Sequence, residues 1–298
     1  MVFTLAAPVV SYGNEQAEVA SVSVSGTSGT PTGTVTVASA NGSVFCTATL
    51  FGGQGSCVPV ATWAYPGQFT VTASYSGDAN FAPSVSPPQT ATVTKDPTRT
   101  TLSLSRSTVI YGDERSVEVT SVVIPEYSDG QVTFGPSGVI KIVTGITTFC
   151  YIPYYSPVCS FPLGPTNLPA GVAKISAAYS GNNAFDPSAA PVKMLTVTKA
   201  TSQTTLTLSA SKITYGHENS ERLTVKASPQ YAGTPTGMVT ISRGTQVVCK
   251  IALSAGMGSC MLTAKELPVG VSRLIAHYPG NLDFTGSASA SKTLTIVK

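Results

Sequence analysis

The residues with the most chemical potential in this sequence are six cysteines, which fall into three close pairs: Cys46 and Cys57, Cys150 and Cys159, Cys249 and Cys260. Between the members of the first and third pairs the chain reads strand, glycine-rich turn, strand: "CTATLFGGQGSC" and "CKIALSAGMGSC". A two-residue turn that sets Leu50 opposite Gly53 puts Ala48 opposite Gly55 and Cys46 opposite Cys57, so the spacing predicts a disulfide across a hairpin. The second pair, nine residues apart, needs a four-residue loop, "PYYS", or a bulge. Six cysteines allow many connectivities, and threefold repetition selects the local one. Closing loops this short contributes somewhat under ~3 kcal/mol each in the chain-entropy model, a large share of a small domain's stability. Two other readings stay open. Zinc is one, although Cys-x10-Cys without a neighbouring His fits no ligand knuckle; free buried thiols, kept reduced in a cytosol, are the other. Paired, the cysteines argue for an oxidising compartment.

Beyond sulfur the chain offers little reaction chemistry. Its two histidines, His217 and His277, recur at no matching position elsewhere and read as solvated surface, and no triad assembles from them. Asp78 and Asn80 alternate as in a calcium loop, but the matching positions hold Asn182 and Leu282, so the charge is not retained and a backbone turn explains them better. No catalytic, cofactor-binding or metal residue is assigned. Aromatic residues remain as candidates for contact. Trp63 aligns with Asn167 and Glu266, loop positions, which places it at or near the surface beside Tyr65. In the second pair's hairpin Phe149, Tyr151, Tyr154, Tyr155 and Phe161 crowd together, with Tyr154 and Tyr155 at the tip. Trp63, Tyr65, Tyr154 and Tyr155 could stack on sugar rings or seat a neighbouring subunit; packing within their own loops is the plainer alternative.

These residues are carried on a repeated frame. "ASYSGDANFAPS" at 73–84 returns as "AAYSGNNAFDPS" at 177–188 and "AHYPGNLDFTGS" at 276–287, shifted by 104 and 99 residues. Tyr-Gly at Tyr12, Tyr111 and Tyr215 and a closing strand ending at Lys95, Lys199 and Lys298 keep the same phase. Units of this length are domains, not solenoid repeats, so the chain divides into 1–95, 96–199 and 200–298. Period-two alternation dominates, as in "GTVTV" and "RLTVKAS", and no helical stripe is sustained. In the second unit strands are expected near 101–105, 115–124, 130–135, 140–151, 158–163, 171–179 and 192–198, the profile of an immunoglobulin-like sandwich. Tyr75, Tyr179 and Tyr278 should stand half-buried at a repeated corner, with Phe81, Phe185 and Phe284 plugging the sandwich end. "MVFTLAAPVVSYG" aligns with "TTLTLSASKITYG" of the third unit and reads as a first strand rather than an export signal.

"GTPTG" at 29–33 and 233–237, the strand ending in "ASYSGDANFAPS" and the closing "VTK" together resemble the bacterial Ig-like repeat domains of secreted and surface proteins. The likeness is close in the first and third units, whereas the second replaces the "GTPTG" turn with "IPEYSDGQVTF". The resemblance implies a sandwich fold and a spacer, adhesion or assembly role, and it carries no catalytic residues.

Charge narrows the partners. Only 10% of residues are charged, the net charge is +3, and 17 Lys and Arg are scattered singly, so no basic stripe is present to neutralise phosphates and nucleic acid is excluded. No apolar run is long enough to span a bilayer. A hydroxyl-rich, charge-poor surface suits an extracellular or cell-surface setting. The linkers "KDPTRTTL" and "KATSQTTL" are short and one is stiffened by Pro97, which predicts three sandwiches in an elongated rod on the order of 100 Å long. Three roles follow. The first is a structural protein, a stalk or fibre subunit whose partners are other copies or neighbouring domains, with uncovered edge strands inviting assembly. The second is an adhesin or carbohydrate-binding segment for surface glycans. The third is an accessory region of a larger secreted enzyme.

Overall fold

The computed structural model describes residues 1–127, 135–153 and 155–298. The strand expected at 130–135 therefore lies almost wholly outside the described residues, as does Tyr154. The first domain contains β1 (Val2–Leu5), β2 (Val9–Ser11), β3 (Ala20–Ser23), β4 (Thr34–Ser39), β5 (Val44–Thr49), β6 (Gln54–Cys57), β7 (Gly67–Tyr75), β8 (Ser84–Val85) and β9 (Gln89–Thr94). The second repeats them as β10 (Thr98–Leu104), β11 (Thr108–Ile110), β12 (Glu118–Pro125), β13 (Gly138–Val143), β14 (Thr147–Ile152), β15 (Val158–Pro162), β16 (Gly171–Tyr179), β17 (Ser188–Ala189) and β18 (Lys193–Thr198). The third has β19 (Ser202–Leu208), β20 (Lys212–Thr214), β21 (Arg222–Pro229), β22 (Gly237–Arg243), β23 (Gln246–Leu253), β24 (Met257–Met261), β25 (Gly270–Gly280), β26 (Thr285–Ala288) and β27 (Lys292–Val297). The single strand expected over 140–151 is two, β13 and β14, because Thr144–Gly145–Ile146 turns the chain back, with Gly145 at φ 87°.

Each domain is a sandwich of two sheets. In the first, β1-β3-β6 faces β2-β9-β7-β4-β5, with β8 added beside β7, and the other two domains repeat this order. Consecutive ladders are antiparallel, except that β2 runs parallel to β9, with Val9 beside Thr92. The chain crosses between the sheets after β1, and there the carboxylate of Glu18 accepts the N–H groups of Ala6 and Ala7 at 2.8 to 3.2 Å. Glu221 serves Ser209 and Ala210 in the same way, whereas the second domain has buried Val117 at this position.

Alternation sets the core. Val35 and Val37 of β4, Val71 and Ala73 of β7, and Ala91 and Val93 of β9 are buried, while their threonine neighbours face outward or lie part-buried. Leu102, Ile140, Ile142 and Ile175 do the same in the second domain, and Leu206, Val239, Ile241 and Leu274 in the third. The apolar packing is not confined to one domain: Tyr12 and Val93 of the first belong to the cluster of the second, and Ile110 and Tyr111 of the second pack on the cluster of the third.

Candidate functional site

The site is built from two recurring pieces at opposite ends of each sandwich. The first piece is the turn Tyr-Gly-x-Glu, which continues from β2 as Tyr12–Glu15, from β11 as Tyr111–Glu114 and from β20 as Tyr215–Glu218. Its glycines hold φ 85° to 86°, a left-handed backbone open to glycine at no steric cost. The glutamate opens a single turn of 3-10 helix and is buried in all three domains. One oxygen accepts a loop N–H: Thr62 to Glu15 at 2.8 Å, Thr166 to Glu114 at 3.0 Å, Lys265 to Glu218 at 2.9 Å. Those three loop residues also have positive φ, 58°, 60° and 62°, so the carboxylate clamps a strained backbone that an L residue would otherwise leave. The other oxygen of each glutamate has no hydrogen-bond partner among the described residues. Burial pushes the Glu15 carboxyl above its ordinary range against the pull of Thr62 and Gly13. For Glu218 burial is outweighed by the N–H groups of Lys265 and Gly216, which hold it low.

The second piece is the corner after β7, β16 and β25. Tyr75, Tyr179 and Tyr278 are fully buried, not half-buried, and donate their hydroxyls to the carbonyls of Thr32, Ser137 and Thr236 at 2.8, 2.8 and 3.0 Å. Burial pushes Tyr179 up to about 12. After the glycine, Asp78, Asn182 and Asn281 each fold a side-chain oxygen onto two following N–H groups, including that of Phe81, Phe185 or Phe284, at 2.8 to 2.9 Å. The third member is thus Asn281, not Leu282. The N–H groups of Asn80 and Thr32 hold the Asp78 carboxyl well below the usual range; Oδ1 is committed to the turn and Oδ2 to the N–H and hydroxyl of Thr32.

The two pieces meet between domains. β16 runs antiparallel to β18, so Phe185, after Tyr179, lies at one end of the second sandwich, and Tyr111, whose N–H meets Thr198 O at 2.8 Å, lies at the other. The ends are separated by the nine residues of β16, about 30 Å of strand. At the first joint Tyr12, 2% exposed, meets Phe185, 1% exposed, edge-on at 5.7 Å and 89°. At the second, Tyr111 meets Phe284 at 5.3 Å and 87°. Edge-to-face geometry sets the positive rim of one ring against the negative face of the other. Burial raises both Tyr12 and Tyr111 above the ordinary phenol range, with nearby acidic groups adding to it. The linkers lie along the same corners, Asp96 pairing with Phe185 and Ala200 with Phe284 in short parallel bridges. At the second joint Ala170 N–H also donates to Asp283 Oδ1 at 2.9 Å.

The sequence model of the bacterial Ig-like domain (group 3) matches residues 3–94 and 206–297, more than half of the chain. The chain belongs to this family. Among solved structures, this Ig-like chain is similar to a tetra-tandem repeat in the extending region of a large adhesion protein, at 14% identity and a TM-score of 0.45, covering 98% of this chain and 74% of that one. It is also similar to the fibronectin(III)-like modules of Clostridium thermocellum CbhA, at 14% identity and a TM-score of 0.25 over 66% of this chain and 93% of that one. A mouse coronavirus receptor-binding domain complexed with its murine receptor shares 11% identity, TM-score 0.25, over 66% of this chain and all of that one. A search of curated proteins finds no match.

In this Ig-like chain the disulfides join Cys46 to Cys57, Cys150 to Cys159 and Cys249 to Cys260. They do not cross a hairpin ladder, as the spacing suggested. Cys46 lies in β5 of the large sheet and Cys57 in β6 of the small one. The tight turn is Gly52–Gly53, with Phe51 paired to Gln54, so the turn sits one residue further along than expected and every partner across it shifts by two. Beyond it the strands part into separate sheets, and the bridge ties the two open edges. Trp63 does not stand free: it is half-buried, edge-on to Phe45 at 4.9 Å and Phe69 at 5.0 Å, and its indole N–H donates to Val44 O at 3.0 Å. Tyr65 is 57% exposed and stacks on Tyr12 at 5.7 Å, so it belongs to the first joint. It lines a groove of about 390 Å³ with Ser137, Asn182 and Asn183 of the next domain. Tyr155 lies exposed on the loop between β14 and β15, and Phe149 and Tyr151 point outward from edge strand β14. His217 and His277 are exposed. Among the described residues no group of three or more His, Cys, Asp and Glu could hold a metal ion, and no helix is long and apolar enough to cross a membrane.

Proposed function

We propose that this chain is a non-enzymatic extracellular spacer, a stiff stalk of three Ig-like domains that sets a distance between whatever lies at its two ends. The observation that supports this most directly is the pair of joints, in which the Tyr-Gly turn of one domain is built into the Phe corner of the next at the far end of the sandwich. A joint that buries aromatic rings on both sides of a short linker resists bending, whereas domains on bare linkers move freely. The three disulfides favour an oxidising compartment, where a small sandwich keeps its staples. Small-angle scattering of dilute chain tests the reading: it expects a rod on the order of 100 Å long with one narrow length distribution. A broad distribution of bent shapes would rule out the spacer role.

A second reading, a carbohydrate-binding segment, is favoured by the groove that Tyr65 shares with Ser137, Asn182 and Asn183, since an exposed ring beside amide groups suits a sugar. Binding to a glycan array that disappears with Tyr65→Ala would support it, and a blank array would remove it.

A further inference from the structure

We propose that the chain associates head to tail with a second copy of itself, the Tyr215–Gly216 turn of the third domain seating on the Phe81 corner of the first domain of the next copy. This goes beyond the spacer reading: a stiff chain that stays monomeric would leave that reading intact and sink this one.

The second internal joint shows what each side needs. On the giving side stand Tyr111 and Gly112. A Cβ on Gly112 would lie 2.4 Å from the carbonyl oxygen of Ala232, so only a residue without one admits the next domain this closely. On the receiving side stand Gly233 and Phe284, where a Cβ on Gly233 would lie 2.7 Å from the ring of Tyr111 and 3.1 Å from that of Phe284.

Both halves occur once more, each without its counterpart among the described residues. Tyr215–Gly216 repeats the giving turn, and Gly216 keeps the same φ of +86° as Gly112, yet nothing lies within 4 Å of where its Cβ would be. Tyr215 is 43% exposed where Tyr12 is 2%. The receiving loop of the third domain, Gly233–Thr234–Pro235–Thr236–Gly237, is repeated residue for residue as Gly29–Thr30–Pro31–Thr32–Gly33 in the first. There a Cβ on Gly29 would meet the ring of Phe81 at 3.4 Å and, among the described residues, no tyrosine within 4 Å. The receiver is present without its ring partner, and the partner is present at the other end without a receiver.

Because the two faces differ and lie at opposite ends, their pairing does not close on itself; it repeats, giving an open linear assembly. The internal joints are helped by a linker that holds the faces at high effective concentration. Between copies that help is missing, so the contact is weaker and depends on concentration.

Sedimentation of the intact chain over a wide concentration range tests this, with Tyr215→Ala to damage the giving turn and Ser28→Arg, at the exposed position matching Ala232, to obstruct the receiver. The wild-type chain is expected to grow from monomer through successive multimers without stopping at dimer. Each variant alone should lose every species above monomer, while an equimolar mixture of the two should form dimers and nothing longer, since one sound turn meets one sound receiver. That mixture also shows that both variants are folded. A wild-type chain that stays monomeric at all concentrations overturns the proposal, including the case in which the end faces serve a different protein. So does growth that survives both substitutions, or a mixture that remains monomeric.

Discussion

Asp96 sits in the first linker with Oδ1 receiving the N–H groups of Glu126 and Tyr127, both at 3.3 Å, while Oδ2 is buried with no partner among the described residues. Burial dominates over those long hydrogen bonds and pushes its carboxyl up to about 6 from 3.8. The sign follows from proton binding. Between about pH 4 and pH 6 the folded state holds a proton that the unfolded state has released, so stability falls across this window and is flat above it. Asp96→Asn keeps the Oδ1 acceptor and removes the charge; it should raise stability at pH 7 by up to about 3 kcal/mol, the free energy of a shift from 3.8 to about 6, and flatten the profile. Denaturant midpoints measured from pH 4 to pH 7 check this, and an unchanged slope in the variant would contradict it. Asp96 was not legible from the sequence, because the third domain has Ala200 at the matching place and nothing in "KDPTRTTL" tells a buried carboxylate from a solvated one. Glu15, Glu114 and Glu218 were legible in principle, three residues after each Tyr-Gly tyrosine. An acidic residue in a charge-poor chain looks like surface until the loop bearing Thr62, Thr166 or Lys265 is seen to close over it.

Strands and their staples follow the same division between what is local and what is not. Alternation located β4, β7 and β9, and β16 and β18 of the second domain, because burial of every second residue is written along one segment, but it ran β13 and β14 together. The cysteine spacing identified partners but not the sheets they join, since where β5 and β6 separate depends on their neighbours: β5 pairs with β4 and β6 with β3. Position matters for the energetics. A bridge across a ladder would restrain strands already paired, whereas Cys46–Cys57 ties two sheets that, among the described residues, share no backbone hydrogen bond beyond the Phe51–Gln54 turn. The paired variant Cys46→Ser, Cys57→Ser should therefore lose up to ~3 kcal/mol of first-domain stability. Both positions are half-buried, so the hydroxyls keep access to water and the loss reports the bridge. Melting with and without reductant distinguishes the cause: reductant should lower the midpoint of the wild-type first domain to that of the variant and leave the variant unmoved. A first domain that melts alike in both chains would show that its bridge carries no stability.

At the scale of the molecule, the short linkers predict restricted joints, but the sequence presents the rings that make them as features of single domains. Tyr-Gly and the Phe corner recur with one period, and a repeat in sequence does not say whether its pieces meet within a unit or across the next boundary. Gly112 and Gly216 separate the two possibilities. Each holds φ +86°, so valine at either place imposes the same left-handed strain, on the order of 1–2 kcal/mol, on its own domain. Only Gly112 has the backbone of Ala232 against it, so Gly112→Val adds a collision with the third domain that Gly216→Val lacks. In dilute chain the two variants should lose similar melting stability. Paired spin labels on the second and third domains should then report a broadened distance distribution for Gly112→Val and the wild-type distribution for Gly216→Val. Equal distributions in both variants would mean that the close approach at Gly112 does not hold the joint, and the stiffness of the rod would have to come from the linker alone.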